Sequence, residues 1–221
     1  MALTIAFDVY GTLIDTQGVL DRLETMMGEK AFAFSQSWRA KQLEYSFRRG
    51  LMRQYQTFAV CTQQALDYTC ALYDIELSSN DKNTLLELYK VLPAHADVKD
   101  GLAALRRQGL NLFAFSNGSR SAVKGLLDHA DILGFFDGIV SCEDINSFKP
   151  NPEVYDYFLT QADAEMHKTW LVSSNPFDII GAVANGMKAA WVQRSTKQVF
   201  DPWEFKPTNT IRSIAELSQH I

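Results

Sequence analysis

Apolar positions along the chain follow two rhythms, and the change between them falls near Pro93. Leu3 to Phe7 is a short apolar run, long enough for a buried strand and too short for a typical helix. Asp8 ends that run and Gly11-Thr12 breaks it into a turn. From Thr16 to Leu92 the spacing is helical. Val19, Leu20, Leu23 and Met26-Met27 share one face, with Gly28 as a stop. Ala31 to Arg49 carries Phe32, Phe34, Trp38, Leu43, Tyr45 and Phe47. Tyr55 to Tyr73 and Asp81 to Leu92 make two more helices, separated by N-cap candidates in Ser78-Ser79-Asn80. The pattern predicts four successive helices with no strand among them.

After Pro93, helix and strand alternate. Helices are predicted over Val98 to Gln108, Ser121 to His129, Glu153 to Gln161, Phe177 to Asn185 and Ile211 to His220. Strands are predicted over Leu110 to Phe115, Gly138 to Ser141, Thr169 to Val172 and Ala189 to Val192. Such alternation implies an α/β fold, with a parallel sheet of five or six strands flanked by helices and joined by right-handed crossovers. The first strand precedes the helical block. The block over 16–92 is therefore an all-α insertion into a core formed by 1–15 and 93–221, and it leaves the core directly above Asp8.

Four polar clusters follow strand ends: Asp8 to Thr12, Ser116-Asn117-Gly118, Lys149-Pro150 and Ser173 to Asp178. Each has a plain alternative, since Asp and Ser-Asn-Gly are ordinary turn chemistry and a Lys before Pro is commonly solvated. Gathered on one rim of a parallel sheet, they mark the place where such folds bind ligands.

Composition narrows the function classes. In the 221 residues, 47% hydrophobic and 21% charged describe a globular protein. The net charge of −5 offers no basic excess for nucleic acid. No stretch approaches the ~20 apolar residues of a membrane span, and the amino terminus lacks a signal-like pattern, so a cytoplasmic protein is expected. The three cysteines form no metal-ligand spacing. The four histidines suggest no ligand set either, and Asp15 reads as a cap for the first inserted helix.

The spelling Phe7-Asp8-x-Tyr10-Gly11-Thr12-Leu13 resembles motif I of the haloacid dehalogenase superfamily, whose members use the Asp as a covalent nucleophile. Most of that superfamily are phosphatases reading Asp-x-Asp-Gly-Thr, with a second carboxylate as general acid and a further motif-IV carboxylate for Mg²⁺. Here those positions are Tyr10 and Ser174, so the resemblance implies a site without metal or other cofactor. The closer resemblance is to the type II (S)-2-haloacid dehalogenases. It rests on Asp8-x-Tyr10-Gly11-Thr12, Trp38-Arg39-Ala40-Lys41-Gln42-Leu43-Glu44-Tyr45, Ser116-Asn117-Gly118, Lys149-Pro150 with Tyr155, and Ser173-Ser174-Asn175 with Asp178. Ala40 and Phe177 depart from the usual Gln and Trp. The family implies a Rossmann-like core with a helical-bundle cap, and a homodimer acting on a small 2-haloacid.

The same resemblance assigns roles. Asp8 attacks C2 of the haloacid, displaces halide and forms an ester that water then hydrolyses. Lys149 keeps Asp8 ionised, Thr12 steadies it and Tyr155 sits against Lys149. Asp178 is the base for the water, helped by Ser173 and Asn175. Ser116 holds the substrate carboxylate with the turn after Asp8, where Val9 and Tyr10 lie. Arg39, Asn117 and Phe177 cradle the halide, and Leu43 and Phe58 form apolar wall. For Arg39 the alternative is a surface ion pair. The competing activity is a small-molecule phosphatase on the same fold, and a third reading is a catalytically silent binding protein.

Overall fold

A computed structural model of the chain describes residues 3–221. Its centre is a six-stranded, all-parallel sheet in the order β3-β2-β1-β4-β5-β6. The strands are β1 (Thr4–Phe7), β2 (Asn111–Ser116), β3 (Gly138–Ser141), β4 (Thr169–Ser173), β5 (Lys188–Val192) and β6 (Asn209–Ile211). Parallel strands covered on both faces read as continuous apolar runs, which is why β1 and β4 are buried along their whole length. Alternate residues serve opposite faces. Ile5 and Phe7 join the core under α5 (Val98–Arg107), α6 (Arg120–His129) and α9 (Ile214–Leu217), while Ala6 joins the one under α7 (Pro152–Gln161) and α8 (Pro176–Ala184).

The strand order reverses direction between β1 and β4, and a crevice opens there beyond their carboxyl ends. Phe7 is level with Ala114 on β2 and Val172 on β4, so Asp8 emerges beside the ends of both.

Between β1 and α5 lie α1 (Gln17–Met27), α2 (Ala31–Met52), α3 (Phe58–Tyr73) and α4 (Ser79–Leu88). The chain leaves and returns through paired backbone: Asp15 N–H donates to Pro93 O at 2.8 Å and His95 N–H to Leu13 O at 2.9 Å. Asp15 Oδ1 accepts from the Gln17 amide at 2.9 Å, the expected capping contact. Trp38, 2% exposed, anchors α2 to α3 through its indole N–H, which donates to Thr62 O at 2.9 Å.

The expected elements recur with shifted ends. Thr57 caps α3, so that helix starts at Phe58 rather than Tyr55, and Ser78 caps α4. β6 was not expected as a strand, and the terminal helix is one short turn rather than Ile211 to His220. Ile211, Ile214 and Leu217 are all buried at a spacing that imitates a helix face. Ile211 nevertheless ends the edge strand, where its carbonyl accepts the Gln193 amide at 2.9 Å. Among the described residues no helix is long and apolar enough to cross a membrane, and all three cysteines are free and buried.

Candidate active site

The site is built on four loops at the carboxyl ends of β1, β2, β3 and β4, with α2 of the inserted helices above. Asp8 follows β1 and is 8% exposed. Its Oδ2 accepts from the Thr12 hydroxyl at 2.7 Å and from Asn175 Nδ2 at 2.8 Å, and its Oδ1 receives the Lys149 ammonium at 3.3 Å. Gly11, at φ +80°, makes the turn that brings Thr12 back under Asp8. Thr12 also ties this loop to the end of β4, because its Oγ1 accepts from the Ser174 amide at 2.8 Å.

Lys149 is fully enclosed and has three acceptors for three protons: Phe115 O at 2.8 Å, Asp178 Oδ2 at 2.9 Å and Asp8 Oδ1. Its ammonium also lies 4.2 Å from the centre of the Phe115 ring. Burial pulls its pKa down, but the charges of Asp178 and Asp8 outweigh that and hold it above the usual lysine value. Asp178 is 0% exposed, and its second oxygen accepts from Tyr155 Oη at 3.0 Å. Burial raises the Asp178 carboxyl against the opposing pull of Lys149. Tyr155 is pushed upward by the same burial and by Asp178, which leaves it a neutral donor. Close packing locks the pair: a Cβ on Gly181 of α8 would fall 2.4 Å from Tyr155 Oη.

A small cavity of about 20 Å³ lies over Asp8, lined by Asp8, Tyr10, Arg39, Leu43, Phe58, Ser116, Asn117, Lys149, Asn175 and Phe177. It brings together most of the residues expected to touch substrate. Four others lie behind this wall. Thr12, Tyr155 and Asp178 support Asp8 and Lys149. Ser173 Oγ accepts from the Asn175 amide at 3.1 Å, which sets the turn that carries Asn175. The Val9 side chain is wholly buried in the main core, which leaves the expected contribution of this residue to its backbone in the turn after Asp8. Asp178 is wholly buried, and each of its oxygens accepts one hydrogen bond, from Lys149 and from Tyr155.

Arg39 reaches the site from α2. Its Nη1 donates to Gln42 Oε1 at 2.6 Å and its Nη2 to Asn175 Oδ1 at 3.3 Å, so it is not committed to a surface ion pair. Burial draws its pKa down, opposed by Tyr89 and Asp8. Ser116 Oγ accepts the Gly118 amide at 3.0 Å, which leaves its hydroxyl proton for a ligand. Asn117 Oδ1 accepts the Lys149 amide at 2.9 Å. Phe177 packs edge-on against Phe47, ring centres 5.2 Å apart. A wider cleft of about 690 Å³ between core and insertion shares Tyr10, Arg39, Phe58 and Asn175 with the small cavity.

Two participants escaped the sequence reading. Gln42 holds Arg39, and its signal was a polar residue three positions on, on a face otherwise buried. Tyr89 packs edge-on against both Trp38 and Tyr10, and no short motif marks it.

At the two positions where phosphatases of this fold place carboxylates, the donors are of another kind. Burial and Tyr89 push Tyr10 up to about 12, so it is neutral. Ser174 Oγ donates to Gly11 O at 2.9 Å. Among the described residues, no three His, Cys, Asp or Glu side chains converge as a metal-ligand group.

The Asp8 carboxylate, backed by the buried Lys149, thus stands at the β1–β4 crevice of a fold shared with known proteins. The family described as haloacid dehalogenase-like hydrolase matches residues 3–186. The chain belongs to that family. An (S)-2-haloacid dehalogenase of Pseudomonas putida is 34% identical over 97% of this chain and 94% of its own length. Haloacetate dehalogenase H-2 of a Moraxella species is 35% identical over 86% of this chain and 85% of its own. Among solved structures, the L-2-haloacid dehalogenase of Xanthobacter autotrophicus with chloropropionic acid covalently bound superposes with a TM-score of 0.91. It is 27% identical, and the match covers 99% of this chain and 98% of that one.

Proposed function

We propose that the chain hydrolyses short (S)-2-haloalkanoic acids, such as 2-chloropropionate or a haloacetate, to (R)-2-hydroxy acids and halide through an ester on Asp8. The observation that carries this reading is the small cavity, where the Asp8 carboxylate, the free proton of Ser116 and the Arg39 guanidinium all converge beside a neutral Tyr10. Its relatives' activities support the same chemistry.

Oδ2 of Asp8 accepts two short hydrogen bonds while Oδ1 has the longer lysine contact, so Oδ1 is the freer oxygen to attack. A bond forms from Oδ1 to C2, and the carbon–halogen pair leaves on the halide. Ser116 and the turn after Asp8 hold the substrate carboxylate, and Arg39, Asn117 and Phe177 receive the halide on the far side. Water then adds to the Asp8 carboxyl carbon, and the C–O bond of the ester in the enzyme breaks. Asp178 serves as the base, since each of its oxygens accepts one hydrogen bond, from Lys149 or from Tyr155, and keeps a lone pair for the water's proton. One proton finishes on the product hydroxyl and the other passes to solvent. A halide needs no proton to depart, which explains why Tyr10 replaces a general acid without loss. The phosphatase alternative lacks that acid and the motif-IV carboxylate.

Residues 16–92 serve here as a cap over a core of 1–15 and 93–221. A cytoplasmic homodimer without a nucleic-acid partner fits the family resemblance and the net charge of −5.

The test is halide release from 2-chloropropionate beside phosphate release from a generic phosphate ester, each with EDTA and with Mg²⁺. Halide release unchanged by EDTA, with no phosphate release, is expected. Phosphate release restored by Mg²⁺, without halide release, would overturn the reading.

A further inference from the structure

Gln42 is a polar residue at a core position of the insertion, 3% exposed, and no step above uses it. It lies one turn after Arg39 on α2, and both ends of its amide are engaged. Oε1 accepts Arg39 Nη1 at 2.6 Å, and Nε2 donates to Thr62 Oγ1 at 2.5 Å on α3. The direction of the amide follows from Thr62. That hydroxyl gives its only proton to Phe58 O at 2.8 Å, so it can only accept from Gln42, and the amide must present Nε2 to it. Oε1 is thereby turned toward Arg39, which can only donate. The backbone of Thr62 is itself fixed, since its carbonyl accepts the Trp38 indole.

An apolar side chain would join α2 to α3 without the desolvation penalty of a buried amide. The amide is explained by what it does to Arg39. Without it, the guanidinium retains only the 3.3 Å contact with Asn175 Oδ1 and is free to rotate about its long stem. We propose that Gln42 is a positioning residue that aims the Arg39 guanidinium at the departing halide, with Thr62 as the anchor that orients it. The chain of hydrogen bonds then runs from Thr62 through Gln42, Arg39 and Asn175 to Asp8 Oδ2, joining α3 of the insertion to the nucleophile. The inference rests on the dehalogenase reading and adds a residue to it.

The experiment is single-turnover ester formation with 2-chloropropionate and 2-bromopropionate in Gln42→Met, Gln42→Glu and Thr62→Val, with thermal melting of each. Chloride is the poorer leaving group and depends more on a well-aimed cation. Misaiming a group by about 1 Å can slow a reaction ~10²-fold. Gln42→Met is expected to slow the chloro substrate at least about tenfold and to raise the bromo-to-chloro rate ratio several-fold. Thr62→Val should shift both in the same direction by less. Gln42→Glu conserves volume, places a carboxylate on Arg39, and should raise the ratio too. It carries the test should Gln42→Met not fold. A merely structural role would lower the melting temperature and leave the ratio at its wild-type value, and that outcome overturns the inference. A wild-type protein that releases no halide would instead remove the function on which it rests.

Discussion

The two halves of the site are built differently. The floor consists of Asp8, Thr12, Lys149, Tyr155, Ser173 and Asp178, drawn from strand ends, the loops after them and the two helices α7 and α8. All are buried, and Lys149 alone satisfies three acceptors. The roof comes from α2 and α3 together with Phe177. It offers one cation with two hydrogen bonds, the longer of them 3.3 Å, and otherwise apolar side chains. The electrostatics that make Asp8 a nucleophile are therefore set before any ligand arrives, while the shape that meets the substrate is held by fewer contacts. Of the two positions where the spelling departs from the family's, Phe177 lines the cavity as part of the roof, whereas Ala40 is exposed and lines neither cavity.

Breaking the floor should have the largest effect. Lys149→Met leaves two buried carboxylates unpaired, and loss of one partner of a buried ion pair typically costs about 3–5 kcal/mol. Chemical denaturation should show a loss of that order together with abolished halide release. A loss under about 1 kcal/mol would mean that the floor is wetter than its burial implies.

Breaking the roof should separate activity from stability. Arg39→Ala is expected to lower turnover roughly 10²–10³-fold while costing only about 1–3 kcal/mol of stability, because the buried Gln42 oxygen loses its donor. Arg39→Lys should recover only part, for want of the planar fork of donors. Near-wild-type kinetics in Arg39→Ala would transfer the halide cradle to Asn117.

The smallest effect is a pH dependence. The folded-state pKa of Lys149 lies above its ordinary 10.5, so the pair's contribution to stability is complete below that value and is lost as pH rises through the higher folded one. Across pH 7–10 neither half changes charge through this pair. A kcat/KM profile should therefore show no alkaline limb below about pH 10. A limb centred near pH 8 would show that Asp178 and Asp8 do not support the ammonium.

The floor was the more legible half in the sequence, for a physical reason. Parallel strands are apolar on both faces, so polar residues at their ends stand out, and Asp8, Ser116 and Ser173 all occupy such ends. The roof was legible only through family spelling, because Arg39 on an amphipathic helix looks like any solvated arginine. Gln42 was missed because burial inside an α2–α3 pair depends on packing that periodicity does not reveal. Asp178 follows β4 as its place in the sequence predicts, but Tyr155, expected against Lys149, hydrogen-bonds to Asp178 from a separate helix instead. β6 was absorbed into the terminal helix because three apolar residues at helical spacing happen to span a strand and a turn.

The most direct measurement is a single turnover in ¹⁸O water with excess enzyme over 2-chloropropionate, followed by mass analysis of the peptide that contains Asp8. Attack of water on an ester at Asp8 places solvent oxygen in the enzyme carboxylate, so that peptide should gain one label while the product hydroxyl carries none. Asp8→Asn should neither turn over nor label. Label found only in the product would mean that water attacks C2 directly, and Asp8 would not be the nucleophile.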